Sequence, residues 1–285
     1  MDAQVKTQLP NLPERVLSDS DVRDMIAFTK EAFDFDFSGY TLQSLKRRFG
    51  RLMDKMKLDS FYDFKYQVVN GDISRSRLLS EITVNVTEMF RDPLCFKTVG
   101  EVIFPYLHTF PQCKVWHAGC STGEEMYSLA ILLKESGLLD KTIQYGTDIN
   151  EEVLKAAGDG IYPIASLKAY SANYHQAGGL NSLSDYYSIG YGHAKLNPSL
   201  KKNMVHSTHD LVQGTSFNEF QLIVCRNVLI YFDQELQNRV LELFVESLAP
   251  FGYLVLGDKE SIAFSRVKEQ FETVNNYHRI FRKRM

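Results

Sequence analysis

Val115-Trp116-His117-Ala118-Gly119-Cys120-Ser121-Thr122-Gly123-Glu124-Glu125 is the stretch whose reading decides the fold. A short apolar run enters a two-glycine loop, and Met126, Leu129, Ala130 and Leu133 then follow helical spacing. Strand, glycine turn and helix in that order let a nucleotide-like ligand approach the backbone at the carboxyl end of the first strand of an open α/β sheet. Phosphate loops leave the first helical turn to bare amide groups. Here Glu124 and Glu125 occupy it, which suits the helix dipole but would repel a pyrophosphate. The loop therefore points to a cationic, phosphate-free adenosine ligand, of which S-adenosylmethionine is the common one.

Ile143-Gln144-Tyr145-Gly146-Thr147-Asp148 is expected to form the next strand, with Asp148 at its tip, 25 residues beyond Gly123. An acid about 20 residues after such a loop hydrogen-bonds ribose hydroxyls. Capping of a helix beginning near Asn150 is the plainer role for Asp148, and the two can coexist.

At 285 residues the chain has room for one large domain and a small one. A hydrophobic content of 44% with 24% charged residues is that of an ordinary globular protein, and a net charge of −3 does not suggest a nucleic-acid binder. No apolar run approaches the ~18 residues of a membrane span. The polar, acidic N-terminus is unlike a signal peptide, so a cytoplasmic location without membrane insertion is expected. The four cysteines and seven histidines lack metal-ligand spacing, and no metal is expected.

Residues 1–12 read as a disordered lead-in. From Ser20 to about Glu81 the apolar spacing is helical, in four segments that include Val22, Met25, Ile26, Thr29 and Phe33, then Leu42, Leu45, Phe49, Leu52 and Met56. The second segment carries Lys46, Arg47, Arg48, Arg51, Lys55 and Lys57, a net of +4 over residues 41–60. This is either a solvated face or a docking surface for an acidic partner. From about residue 100 strands and helices alternate, which implies a mostly parallel sheet, ending in a hairpin near Thr273–Val274 and Arg279–Arg282. The tyrosine-rich stretch 161–208 breaks the rhythm and is expected to be a small β insertion. The organisation expected is a small all-helical domain over residues 1–84, a linker over 85–99 and a sheet domain over 100–285.

Two further segments carry chemistry. Asn85-Val86-Thr87-Glu88-Met89-Phe90-Arg91-Asp92 joins the helical part to the sheet. Cys225-Arg226-Asn227-Val228-Leu229-Ile230-Tyr231-Phe232-Asp233 ends the strand beginning near Leu222, where residues face the ligand crevice of an open sheet. With these segments, the Gly-Glu-Glu loop and the acidic strand tip, the chain resembles the CheR family of chemotaxis receptor methyltransferases from about residue 20 onward. The resemblance implies a Rossmann-like S-adenosylmethionine-dependent methyltransferase fold. It also implies transfer of the methyl group to glutamate side chains on the cytoplasmic helical bundle of chemoreceptors.

Carried over by position, the resemblance implies cofactor contacts from Asn85, Thr87, Arg91, Glu125, Asp148, Asp210, Leu211, Arg226 and Asn227. It implies that Arg91 and Tyr231 stand near the methyl group. Met89 replaces a usual Phe, and Asp210 replaces a usual Asn near the adenine, keeping an acceptor and losing an amide donor. Tyr174–Lys201 matches the family only loosely, so binding of a receptor tether peptide by the insertion is not expected to carry over.

The chemistry fits a chain without an evident general base. A glutamate has a reference pKa of about 4.3 and is already ionised at neutral pH. In-line placement alone can lower the barrier by several kcal/mol, up to about 7–11 kcal/mol. Arg91 or Tyr231 would orient the incoming carboxylate. The plainer roles are a core aromatic for Tyr231 and a surface ion pair with Asp92 for Arg91. Three other classes compete. An amine or nucleic-acid methylase is disfavoured because Asn227-Val228-Leu229-Ile230 is not Asn-Pro-Pro-Tyr. A nicotinamide dehydrogenase is disfavoured by the acidic helix start. A relative that only binds the cofactor as a regulatory module is opposed by intact Arg91, Asn227 and Tyr231, whereas a methyltransferase-like relative acting on a non-chemoreceptor partner stays open as the alternative.

Overall fold

A computed structural model describes residues 17–285; the expectation for residues 1–12 falls outside them. The described residues fall into two compact units that divide between Thr83 and Val84.

In the first unit four helices follow one another: α1 (Asp19–Phe33), α2 (Leu42–Met56), α3 (Phe61–Val69) and α4 (Arg75–Ile82). Ser18 and Ser60 begin α1 and α3 with reciprocal capping boxes to Asp21 and Asp63, which satisfies amides that a helix start leaves unpaired. Leu45, Phe49, Leu52 and Met53 form the buried stripe of α2, and Phe49 meets Phe37 and Phe64 edge-on at 6.3 and 5.9 Å. Met56, expected inward, is only partly buried, because the stripe at 45, 49, 52 and 53 ends before it.

The second unit opens with α5 (Pro93–Val102) and α6 (Phe104–His108). Then come β1 (Cys113–Ala118), α7 (Glu124–Glu135), β2 (Thr142–Asp148), α8 (Glu151–Asp159), β3 (Ile161–Pro163), α9 (Leu167–Gln176), β4 (Tyr187–Gly190) and β5 (His193–Leu196). The chain closes with β6 (Met204–Thr208), β7 (Phe220–Cys225), α10 (Gln234–Ser247), β8 (Leu248–Leu256), β9 (Phe271–Asn275) and β10 (Ile280–Lys283). Seven strands form one sheet in the order β6-β2-β1-β7-β8-β10-β9. β1 pairs in parallel with β2 on one side and β7 on the other, and β10 is antiparallel to both its neighbours. Strand order reverses between β1 and β7, so a crevice opens at their carboxyl ends.

The stretch 161–208 is not a simple β insertion. β3, β5 and β4 make a separate three-stranded antiparallel sheet, but the ten-residue helix α9 lies inside it, and β6 belongs to the main sheet as its edge beside β2. Tyr170 and Tyr174, one helical turn apart, are buried and mark the inner face of α9. The hydroxyls of Tyr174 and Tyr186 both donate to Glu135 Oε1 at the end of α7, the latter over 2.8 Å. Burial and that carboxylate push the Tyr174 phenol up, which keeps it a donor. The insertion thereby covers α7, whose residues from Met126 to Leu133 are all buried.

Tyr174→Phe removes one donor from Glu135 and the acceptor of the Asn181 amide (2.9 Å). A hydrogen bond to a charged group contributes about 1.5–3 kcal/mol, so urea unfolding is expected to register a loss of about 2 kcal/mol. An unchanged unfolding midpoint would mean that the tyrosine cluster does not hold the insertion.

Candidate active site

β1 delivers the loop to the crevice. The amides of Gly119 and Cys120 both donate to Thr147 O of β2, at 2.8 and 2.9 Å, which fixes the loop against the tip of the neighbouring strand. Gly119 has φ +74°, and a Cβ there would stand 2.5 Å from Val228 Cγ2 of the turn after β7, so only glycine lets the two segments approach. Ser121 N donates to Asp148 Oδ2 and Asn150 N to Asp148 Oδ1, both at 3.0 Å. Asn150, not Asp148, caps α8, accepting from Glu152 N at 2.9 Å. Asp148 instead joins the loop to the strand tip. Burial pushes its carboxyl up, against the pull of the backbone amides.

The two acids of the α7 start differ. Glu124 is buried and accepts from Thr122 Oγ1 at 2.6 Å, and burial pushes its carboxyl up. Glu125 lies between two cationic-capable groups: Oε1 is 3.1 Å from His117 Nδ1 and Oε2 is 3.5 Å from Arg226 Nη1. The other ring nitrogen of His117 stands 3.0 Å from Gln144 Oε1, and His117 is fully buried. Its two nitrogens are therefore both engaged, one by Glu125 of α7 and one by Gln144 of β2.

Arg226 is the junction of the site. Its side chain is 4% exposed, and it donates to Arg91 O at 3.0 Å and to Asp92 Oδ2 at 2.5 Å. The plainer alternative for Arg91, a surface pair with Asp92, is not formed: Asp92 pairs with Arg226, and the Arg91 guanidinium donates to Val86 O at 3.3 Å. Arg226 wins because a buried guanidinium needs the carboxylate, whereas Arg91 is only partly buried. The linker is anchored twice more: Phe90 N donates to Ser128 Oγ of α7 at 2.8 Å, and Asn173 Nδ2 of α9 donates to Met89 O at 3.1 Å. Asn85 and Thr87 are partly buried on the irregular stretch before these anchors.

Asn227 follows with φ +63°. Tyr231 ends a 3₁₀ turn and is only partly buried, while Leu229 and Phe232 take the core positions. Asp210 Oδ1 accepts from Val212 N at 2.8 Å, Leu211 is partly buried, and His209 N donates to Asp148 O at 3.1 Å. Hydrogen bonds thus link Glu125, Arg226 and Arg91 in one cluster and Ser121, Asp148 and the 209–210 segment in another.

Sequence inspection missed His117, Ser128, Asn173 and Glu260, whose contacts span 8 to 84 positions and have no local signature. The Ser121 hydroxyl is buried without a hydrogen-bond partner beside Asp148, and such an atom at the crevice fits a ligand with polar oxygens or nitrogens. Among the described residues no group of three or more His, Cys, Asp or Glu could hold a metal ion, and no helix is long and apolar enough to cross a membrane.

The basic residues of α2 are less free than their spacing suggests. Lys46 pairs with Asp19, Lys55 pairs with Glu81, and Arg48 Nη1 donates to Thr83 O at 3.4 Å. Arg47 and Arg51 are exposed.

Glu125 is held below the ordinary value of 4.5: burial raises it, and the hydrogen bond and charge of His117 with the charge of Arg226 outweigh burial. A carboxyl depressed on folding contributes stability above its unfolded pKa and loses it as pH falls through the folded one. Glu125→Gln is expected to cost about 2 kcal/mol at neutral pH, a gap that closes as the pH falls below 4.5. Urea unfolding of both proteins between neutral and strongly acidic pH measures this; a gap that stays constant would remove Glu125 as the ionised partner.

The sequence model described as "CheR methyltransferase, SAM binding domain" matches residues 85–280, beginning at the linker. The chain is 43% identical over 266 residues to "Putative methyltransferase Cher3" of Pseudomonas putida, covering 93% of this chain and 97% of that protein. It is 29% identical to Chemotaxis protein methyltransferase 1 of Vibrio cholerae over 90% of this chain and 94% of that one. To the Chemotaxis protein methyltransferase of Listeria monocytogenes it is 28% identical, over 90% and 96%. An α/β sheet with its crevice at the Gly119–Glu125 loop and a family match across the unit that carries it agree: the chain belongs to the CheR methyltransferase family, and its sheet unit is an S-adenosylmethionine-binding domain.

Proposed function

We propose that this methyltransferase forms methyl esters on glutamate side chains of the cytoplasmic helical bundle of chemoreceptors, working in the cytoplasm. The observation that carries this reading is the Arg226 junction, which ties the linker bearing Arg91 to Glu125 and to the turn bearing Asn227 and Tyr231. We divide the chain accordingly into a helical domain over residues 1–84, a linker over 85–99 and a methyltransferase domain over 100–285.

In this mechanism S-adenosylmethionine supplies a methyl group on a positively charged sulfur. Asp148 accepts hydrogen bonds from ribose hydroxyls with the oxygen capacity left by Ser121 N and Asn150 N. Asp210, whose Oδ1 accepts from Val212 N, and the neighbouring Leu211 would hold the adenine. Asn85, Thr87, Glu125 and Asn227 complete the contacts, and Arg226 holds Glu125 in place. Arg91 and Tyr231 orient the incoming carboxylate in line without neutralising it. No base is needed because the nucleophile is ionised, and His117, with one nitrogen on Glu125 and the other on Gln144, is not available as one.

Calorimetry is expected to find binding of S-adenosylhomocysteine and none of NAD; the reverse ends this proposal. Arg91→Ala and Tyr231→Phe should lower turnover more than tenfold while changing cofactor affinity less than threefold. The labelled product on host membranes should release methanol on mild base treatment. Label that survives base means N-methylation, and binding without any labelled membrane protein means a different partner or a regulatory module.

The receptor is proposed to meet the basic face of α2 (Lys46, Arg47, Arg48, Arg51, Lys55). Arg47→Glu with Arg51→Glu tests this without removing Arg48 from the Thr83 carbonyl. Receptor methylation should then fall severalfold with S-adenosylhomocysteine binding intact. In the native protein it should weaken as salt rises, since exposed charges are screened within about 8–10 Å. Normal methylation by the double variant would make α2 a solvated face only.

A further inference from the structure

The turn that carries Asn227 and Tyr231 is built around a buried carboxylate from a different part of the chain. Glu260, 3% exposed, follows β8 and accepts four backbone hydrogen bonds. Gly257 N donates to Oε2 at 2.6 Å and Asn227 N to Oε2 at 3.1 Å. Val228 N and Leu229 N donate to Oε1 at 2.8 and 2.7 Å. A carboxylate offers about four lone-pair sites, and these four amides fill them. Three consecutive amides, 227 to 229, converge on one side chain, in a turn that holds Asn227 at φ +63°. Gly257 makes the approach possible, because a Cβ there would lie 2.9 Å from both Asn227 N and Glu260 Oε2.

None of these bonds belongs to the strand ladder. Their effect is to fix where the backbone turns after β7, and so where the side chains of Arg226, Asn227 and Tyr231 leave it. Val228 is set at the same time against Gly119 of the ligand loop. The arrangement needs an acceptor-only group. A carboxamide of the same size presents an NH2 donor to at least one N–H, and an alkyl group leaves all four amides unpaired.

We propose that Glu260 is the positioning residue of this methyltransferase: its carboxylate shapes the 226–231 turn, and through it the cofactor contact and the methyl-transfer geometry. The proposal rests on the reading that this turn meets the cofactor. Binding of S-adenosylhomocysteine tests it without any receptor, so failure to find a methylated glutamate leaves it testable.

The full chain carrying Glu260→Gln is titrated calorimetrically with S-adenosylhomocysteine. A residue needed only for folding lowers the stoichiometry and leaves Kd as it was. A positioning residue raises Kd at unchanged stoichiometry, and a rise of tenfold or more is expected. In nitrogen-15 amide spectra the signals of Gly257, Asn227, Val228 and Leu229 should move together, with those of β2 and α8 in place. A folded variant whose Kd stays within twofold of the native protein overturns the proposal. Should that variant fail to fold, Glu260→Asp decides: its carboxylate, one methylene shorter, reaches fewer of the amides. Kd should then rise at least threefold, and an unchanged Kd overturns the proposal equally.

Discussion

The sheet unit depends on how one buried cation is neutralised. Taking a guanidinium out of water costs several kcal/mol unless carboxylates and carbonyls replace the solvent. Arg226 meets that demand from three directions, with Asp92 and the Arg91 carbonyl from the linker and Glu125 from α7. Each partner is thereby tied to the others. Removing any one leaves a buried charge underpaired, so the linker, the ligand helix and the turn after β7 hold their places as a set. Phe96, with the guanidinium 5.7 Å from its ring centroid, closes the group on its apolar side.

Four acids around the crevice are tied to their neighbours: Glu124 to Thr122, Glu125 to His117 and Arg226, Asp148 to loop amides, and Glu260 to four backbone N–H groups. In the reaction proposed above, whose nucleophile arrives ionised and whose leaving group departs as a neutral thioether, geometry rather than proton transfer would carry the rate.

The parts legible in the sequence are those encoded locally. Apolar spacing marks α1 to α4. Glycine, charge and apolar run together mark β1, the loop and α7, and the acid at 148 stands at its strand tip. What was not legible depends on distant partners. β6 is too short and too polar to declare itself, and becomes an edge strand only because β2 offers it a parallel partner. α9 was hidden because tyrosines suit strands as well as helices; its inner face is defined by Glu135, 39 positions before Tyr174. Nothing near Asp92 announces that its partner is Arg226, 134 positions later. The contacts of Glu260 are equally silent in one dimension.

The insertion has a bearing on how relatives of this protein diversify. Because Asn173 of α9 donates to the Met89 carbonyl, the insertion is not a detachable module: it grips the linker at the residue next to Phe90. Exchanging residues 161–196 for those of another family member transplants a surface and also one of the fixings of the linker. A recombinant that keeps the three antiparallel strands and loses the amide at 173 inherits a new exterior with a loosened interior. The exterior of the insertion and the placement of the linker are therefore inherited together, through the Asn173 side-chain amide among other contacts.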